Sequence, residues 1–95
     1  MTFSFHPEAE AELSAAIEYY EDREAGLGYD FSLEVLASIR NILAHPIAWP
    51  VMEEGVRRCL VNRFPFGVLY SLEPTGVFVI AVMHLRRRPD HWKNR

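Results

Sequence analysis

The feature that most constrains this chain is a change of hydrophobic period near residue 50. Before that point apolar residues recur at steps of three and four; after it they alternate, as strands require. In the first half Ala9, Leu13, Ala16, Ile17 and Tyr20 form one stripe, enough for a helix of about four turns. Pro7 suits the first turn, where its missing N–H costs nothing, and Glu8 and Glu10 favour the positive end of the dipole. The stretch AGLG, residues 25–28, breaks the pattern. A second helix then turns Phe31, Val35, Leu36, Ile39, Ile42 and Leu43 inward and ends near His45-Pro46. So short a glycine-bearing link predicts an antiparallel helical hairpin.

The second half opens with a Pro- and Trp-bearing connection, HPIAWPVMEEG, and continues with three strand candidates: VRRCLVNRF, FGVLYSLE and GVFVIAVMHL. Pro65 separates the first two. EPTG (73–76) separates the others, with proline and glycine where a β-turn wants them. On the last candidate, strict alternation puts Val77, Val79, Ala81, Met83 and Leu85 on one face and Phe78, Ile80, Val82, His84 and Arg86 on the other. Apolar residues on both faces mark a central strand. The opening TFSFH also alternates and reads as a short strand. The expected fold is therefore α+β, in the order β-α-α-β-β-β: a helical hairpin packed on a mostly antiparallel sheet, one domain over residues 1–95.

A chain of 95 residues buries only about 60–65% of its unfolded surface, so a partner can matter to its stability. No apolar run approaches a membrane span, and the N-terminus lacks a signal-peptide pattern. Cys59 is the one cysteine, which rules out an intrachain disulfide and fits a reducing, cytoplasmic setting. The net charge of −3 conceals a division. Residues 1–50 carry nine acids against Arg23 and Arg40, a balance of −7; residues 51–95 carry four acids against eight lysines and arginines, a balance of +4. The expectation is an acidic helical side and a basic sheet side able to meet an anionic partner, or simply Glu-rich, solvated helices.

Candidate chemistry gathers in the basic half. Alternation puts His84 and Arg86 on one face and Arg87 on the other. Arg57, Cys59, Val61 and Arg63 share a face of the first long strand, with Arg58 opposite. If the two strands are neighbours, some of Arg57, Arg58, Arg63, His84 and Arg86 converge at one end of the sheet. Arginine forks match phosphate or carboxylate, so such a cluster suits an RNA backbone or an acidic peptide, and a histidine among phosphates suits proton transfer. The plainer reading is that these arginines pair with Glu53, Glu54 or helix acids. Trp92 stacks on a base, fits a partner's pocket, or pins the tail to the body. Cys59, mid-strand beside Leu60 and Val61, reads as a small core residue. No His or Cys pair has metal-ligand spacing, and no glycine-rich phosphate loop occurs, so no metal or cofactor is expected.

Taken in order, HPEAEAEL and EYYE, GLGYDF, NILAHPIAWPV, VRRCLVNRFPFGVLY and AVMHLRRRPDHW cover nearly the whole chain. In their sequence and spacing they resemble the RelE/ParE superfamily, the toxins of bacterial type II toxin–antitoxin systems, also called plasmid stabilisation proteins. The resemblance implies the same helical hairpin on an antiparallel sheet. RelE-like members, which cut mRNA on ribosomes, carry basic residues near the end of the second helix. They also place an arginine on the middle strand, another after the last strand, and often a C-terminal tyrosine or histidine. Here the middle-strand slot holds Gly67, the second helix ends in Asn41-Ile42-Leu43, and the terminal slot holds Trp92, which transfers no proton. Only Arg86 matches clearly.

The closing pattern of His84, Arg86, Arg87, Pro89 and Trp92 is similar instead to the ParE-like branch, whose members inhibit DNA gyrase by binding and not by known catalysis. That resemblance implies a ParD-like antitoxin as partner in a hetero-oligomer. It implies His84, Arg86, Arg87 and Trp92 as target contacts, with Arg57, Arg58, Arg63 and Arg88 meeting the antitoxin or another anion. The alternative is a ribosome-dependent endoribonuclease, with Arg58, Arg63 or Arg86 stabilising phosphate and His84 or His91 giving the proton. A third reading is a decayed, non-toxic antitoxin-binding module.

Overall fold

The computed structural model describes residues 1–95. Strand β1 (Thr2–Phe5) leads into helix α1 (Pro7–Arg23), and α2 (Leu27–Ala44) returns alongside it. Four strands follow: β2 (Val51–Glu53), β3 (Val56–Leu60), β4 (Phe66–Glu73) and β5 (Gly76–His84). With β1 they form one five-stranded sheet in the order β1-β5-β4-β3-β2, with every pairing antiparallel except β1 on β5. The α+β architecture is the one the change of period implies, with β2 as an addition inside the Pro- and Trp-bearing connection. No helix is long and apolar enough to cross a membrane.

Each helix is set by local chemistry. His6 caps α1 by accepting the Glu8 N–H at Nδ1, 3.0 Å away, just ahead of Pro7. Helix α2 starts within the AGLG stretch, after Gly26 at φ 89°, and has no side-chain cap of its own. Glu21 of α1 supplies it: one carboxylate oxygen accepts from Gly26 N–H (2.8 Å) and the other from Gly28 N–H (3.0 Å). The inner faces meet the sheet through Tyr20, Phe31, Phe64 and Phe66, whose rings stand edge-on or tilted at 4.8–6.1 Å. Ala9, Ala16, Phe31, Val35, Ile39 and Ile42 are buried with Cys59, Val61, Val68, Tyr70, Val77, Val79 and Val82 in the principal core.

One condition and one expectation about the sheet are not met. First, the arginine convergence is conditional on β3 and β5 being neighbours, and they are not, because β4 lies between them. Second, strict alternation along β5 fails. Leu69 pairs Ala81 while Tyr70 pairs Val79, so Ile80 is an extra residue and the strand bulges there. Val77, Val79 and Val82 therefore face the helices, whereas Ile80, Ala81 and Met83 join Val56, Leu69 and Trp92 in a second cluster. That second cluster is the reason β5 is apolar on both sides: one face carries the helices and the other carries the tail. At the β4–β5 turn Gly76 adopts φ 137° and sits against Thr2, where a side chain would run into the Thr2 carbonyl.

Candidate functional site

The basic half divides into arginines that hold the fold together and arginines that hold nothing. Arg57 faces the helix side and donates to the carbonyls of Trp49 and Ile47, fixing the α2–β2 connection. Beyond the end of β3, Arg63 adopts φ 70° and reaches Asp30 (3.7 Å) and Glu34 (3.9 Å) on α2. Arg88 lies 3.6 Å from Asp90, Lys93 lies 3.1 Å from Glu53, and Arg95 binds Glu12. No acid or carbonyl engages the side chains of Arg58, Arg86 and Arg87, the three left over.

Gly67 explains how Arg58 comes beside the residue that opens the turn after β5 although β3 and β5 do not touch. Arg58 pairs with Leu69 of β4 and Leu60 pairs with Gly67, so the Arg58, Leu60 and Leu69 side chains project from the face away from the helices. A Cβ at position 67 would stand 3.1 Å from Arg58 Cδ and 3.6 Å from Leu85 Cδ2. The bare backbone of Gly67 is thus roofed by the Arg58 stem and by Leu85. The position where the sequence lacks an arginine is the position that lets Arg58 lean toward the turn carrying Arg86. Leu60 and Leu85 remain exposed at 56% and 43%, giving the arginines an apolar border.

Strand β5 ends at His84, and residues 85–88 form a turn held by Arg87 N–H to His84 O (3.0 Å) and Leu85 N–H to Pro65 O (2.9 Å). Alternation stops applying there. Arg87, expected opposite His84, shares a cleft with it; Arg86 is not among the residues that line it. The cleft, about 660 Å³, runs between α1 and the end of β5, over Ala11, Ala15, Ala16, Phe66 and Val82. The His84 ring packs edge-on against Phe66 at 5.2 Å, and its Nδ1 accepts the Arg86 N–H at 3.0 Å. In the neutral ring the proton therefore sits on Nε2.

His91 and Trp92 are both engaged within the molecule. His91 Nε2 is 3.0 Å from Glu12 Oε2, so it is engaged within the molecule. Trp92 is only 3% exposed and packs in the second cluster, so in this arrangement it offers a target no surface; it pins the tail. Its Nε1 finds no hydrogen-bond partner. Burial pushes the Cys59 thiol above its ordinary value, which suits a core residue and not a nucleophile.

Sequence reasoning missed Glu12 and Arg95. Glu12 Oε1 accepts the Val82 N–H (3.1 Å), and Arg95 binds both carboxylate oxygens at 2.8 and 2.9 Å while donating to Ile80 O at 3.0 Å. Burial pushes the Glu12 carboxyl up, but hydrogen bonds from Arg95, His91 and Val82 and the Arg95 charge outweigh it, leaving Glu12 below its ordinary value. The one sequence signal was the position of Glu12 beside Leu13 and Ala16, at the edge of the apolar stripe.

Residues 3–89 match the family described as "ParE toxin of type II toxin-antitoxin system, parDE". Among solved structures, the chain is similar to one from the chromosomal ParDE toxin–antitoxin system of P. aeruginosa. The TM-score is 0.73 at 18% identity, over 88% of this chain and 95% of that one. At that identity the likeness is one of fold. No curated protein matches the chain.

Proposed function

Because this chain belongs to the ParE toxin family of type II toxin–antitoxin systems, we propose that it arrests growth by binding DNA gyrase and that a cognate ParD-like antitoxin neutralises it. The observation that carries the reading is the set of three unpaired arginines: Arg58, lying with Leu85 over Gly67 on the face away from the helices, and Arg86 and Arg87 in the turn after β5, with Arg87 toward the cleft. Exposed guanidinium groups beside Leu60 and Leu85 suit a protein surface with carboxylates better than a catalytic pocket. Arg86 and Arg87 make the leading target contacts, with Arg58 and His84 beside them. Arg57 and Arg63 serve the fold. Arg88, exposed beside Asp90, remains open to the antitoxin.

The antitoxin suits the cleft over Ala11, Ala15 and Ala16. Small residues there allow close approach of an apolar helix or strand, and Arg87 at the rim meets acids on such an arm. The result is a toxin–antitoxin hetero-oligomer in which the small domain gains the buried area it lacks alone.

The nuclease alternative has less support. His91 is tied to Glu12, and His84 is the one candidate acid left near a free arginine. The deciding experiment compares gyrase supercoiling with in vitro translation, using purified chain and its Arg86→Ala/Arg87→Ala variant. Selective loss of supercoiling, weakened at least about tenfold in the variant, is the expected result. Cleavage of ribosome-bound mRNA would overturn it in favour of a RelE-like enzyme. Absence of any growth arrest on expression would favour a non-toxic antitoxin-binding module.

A further inference from the structure

The edge of β5 is covered by β1 only from Gly76 to Val79. Beyond that point the strand has no neighbour on this side, yet its exposed backbone groups are not left to water. Glu12 of α1 takes the Val82 N–H, and Arg95 donates to the Ile80 carbonyl. The same two side chains bind each other through a fork of two hydrogen bonds, and His91 adds a third contact to the carboxylate. Arg95 is drawn in until its side chain is only 7% exposed, although it lies at the last position of the sequence. One carboxylate therefore ties together a helix, a strand edge and the tail.

This arrangement bears on the arginines. The segment from Leu85 to Asp90 carries Arg86, Arg87 and Arg88 and has no regular structure of its own beyond turn bonds. Its near end is fixed because β5 is fixed. Its far end is fixed by the Trp92 ring and by the Glu12 contacts to His91 and Arg95. Without the carboxylate, the far end would be left with Trp92, the exposed Lys93–Glu53 pair, and the Arg95 contacts to the Ile80 carbonyl and to exposed Glu8.

We infer that Glu12 is a positioning residue for the arginine turn: by holding Arg95, His91 and the Val82 N–H at once, it fixes where Arg86 and Arg87 stand, without itself touching the target. The inference rests on the proposed target contact and deepens it. A turn held at both ends meets its target without first losing conformational freedom, and releasing one end costs affinity.

The test uses the full chain with Glu12→Gln, which keeps an oxygen for Val82 and nearly the same shape but loses the charge that holds Arg95. Amide hydrogen exchange over residues 85–95 and the potency of gyrase inhibition are read side by side, with Arg95→Ala, Arg95→Lys and the Arg86→Ala/Arg87→Ala variant. Glu12→Gln is expected to speed exchange across 85–95 and to lower potency, each by about tenfold. Arg95→Ala should do the same, adding little when combined with Glu12→Gln, and Arg95→Lys should recover part of both. The Arg86→Ala/Arg87→Ala variant should lose potency with the tail still protected. Unchanged exchange in Glu12→Gln would overturn the clasp. Faster exchange with full potency would overturn the positioning role. Full potency in the double arginine variant would instead remove the target-contact reading on which the positioning role depends.

Discussion

Trp92 is the residue whose alternatives the fold separates most sharply. Its place after a run of arginines allows display to a partner or pinning of the tail, and it is the pin, buried among Val56, Leu69, Ile80, Ala81 and Met83. What calls for an aromatic there is the second apolar face of β5, which has no helix above it. The indole N–H is the flaw in the fit, since it is buried without an acceptor. Trp92→Phe should therefore cost at most about 1 kcal/mol, because relief of the stranded donor offsets lost ring area. Trp92→Ala should cost about 3–5 kcal/mol by opening a cavity. Urea denaturation of both variants checks the pair; equal losses would mean that the N–H has a partner after all. The arginines teach a related lesson. Their identity and number were plain in the sequence, yet which of them are free was not. Whether Arg63 finds Asp30 and Glu34, and Arg58 finds none, depends on which helix lies above which strand.

Among the elements, the helical hairpin was the most legible, because its stripes are long and its break carries glycine. The break is narrower than the AGLG stretch suggests. Gly28 lies inside α2, pressed on α1 where a Cβ would stand 2.5 Å from the Ile17 carbonyl oxygen and 2.9 Å from Glu21 Cβ. At an ordinary helix position Gly→Ala stabilises by up to about 1 kcal/mol. Here Gly28→Ala should instead destabilise by about 2 kcal/mol, because the two helix backbones must separate and Glu21 loses its hold on Gly26 and Gly28. Chemical denaturation gives the sign directly. Strand β2 was not legible: three exposed residues show no periodicity, and only pairing with β3 makes them a strand. The bulge at Ile80 was hidden for a similar reason. It is a property of two strands in register, and it inverts the faces assigned to Val82 and Met83.

At the scale of the molecule, the division of charge becomes a division of labour. Acids of the helices reach across to Arg63 and Arg95, so part of the basic half is spent inside, and the unpaired remainder collects beside Gly67 and the turn after β5. The Glu12–Arg95–His91 cluster also gives the whole fold a pH dependence. The folded-state value of Glu12 lies below its ordinary 4.5, so its contribution is complete above that value and is lost as pH falls through the lower, folded one. Wild-type stability should accordingly fall more steeply than that of Glu12→Gln between about pH 5.5 and about pH 3. Thermal unfolding across that range tests the sign; parallel curves would mean that Glu12 is not held ionised by its partners. The sequence alone determined the two helices, the main strands, the α+β order and the basic ending, because each follows from the spacing of apolar and charged residues along one segment. The tertiary structure alone decided that β4 separates β3 from β5, that Gly67 lets Arg58 and Leu85 meet, and that Glu12 holds the tail. Those are encounters between residues far apart in the chain, set by strand order and by backbone groups left open at a sheet edge, and local spacing carries no record of them.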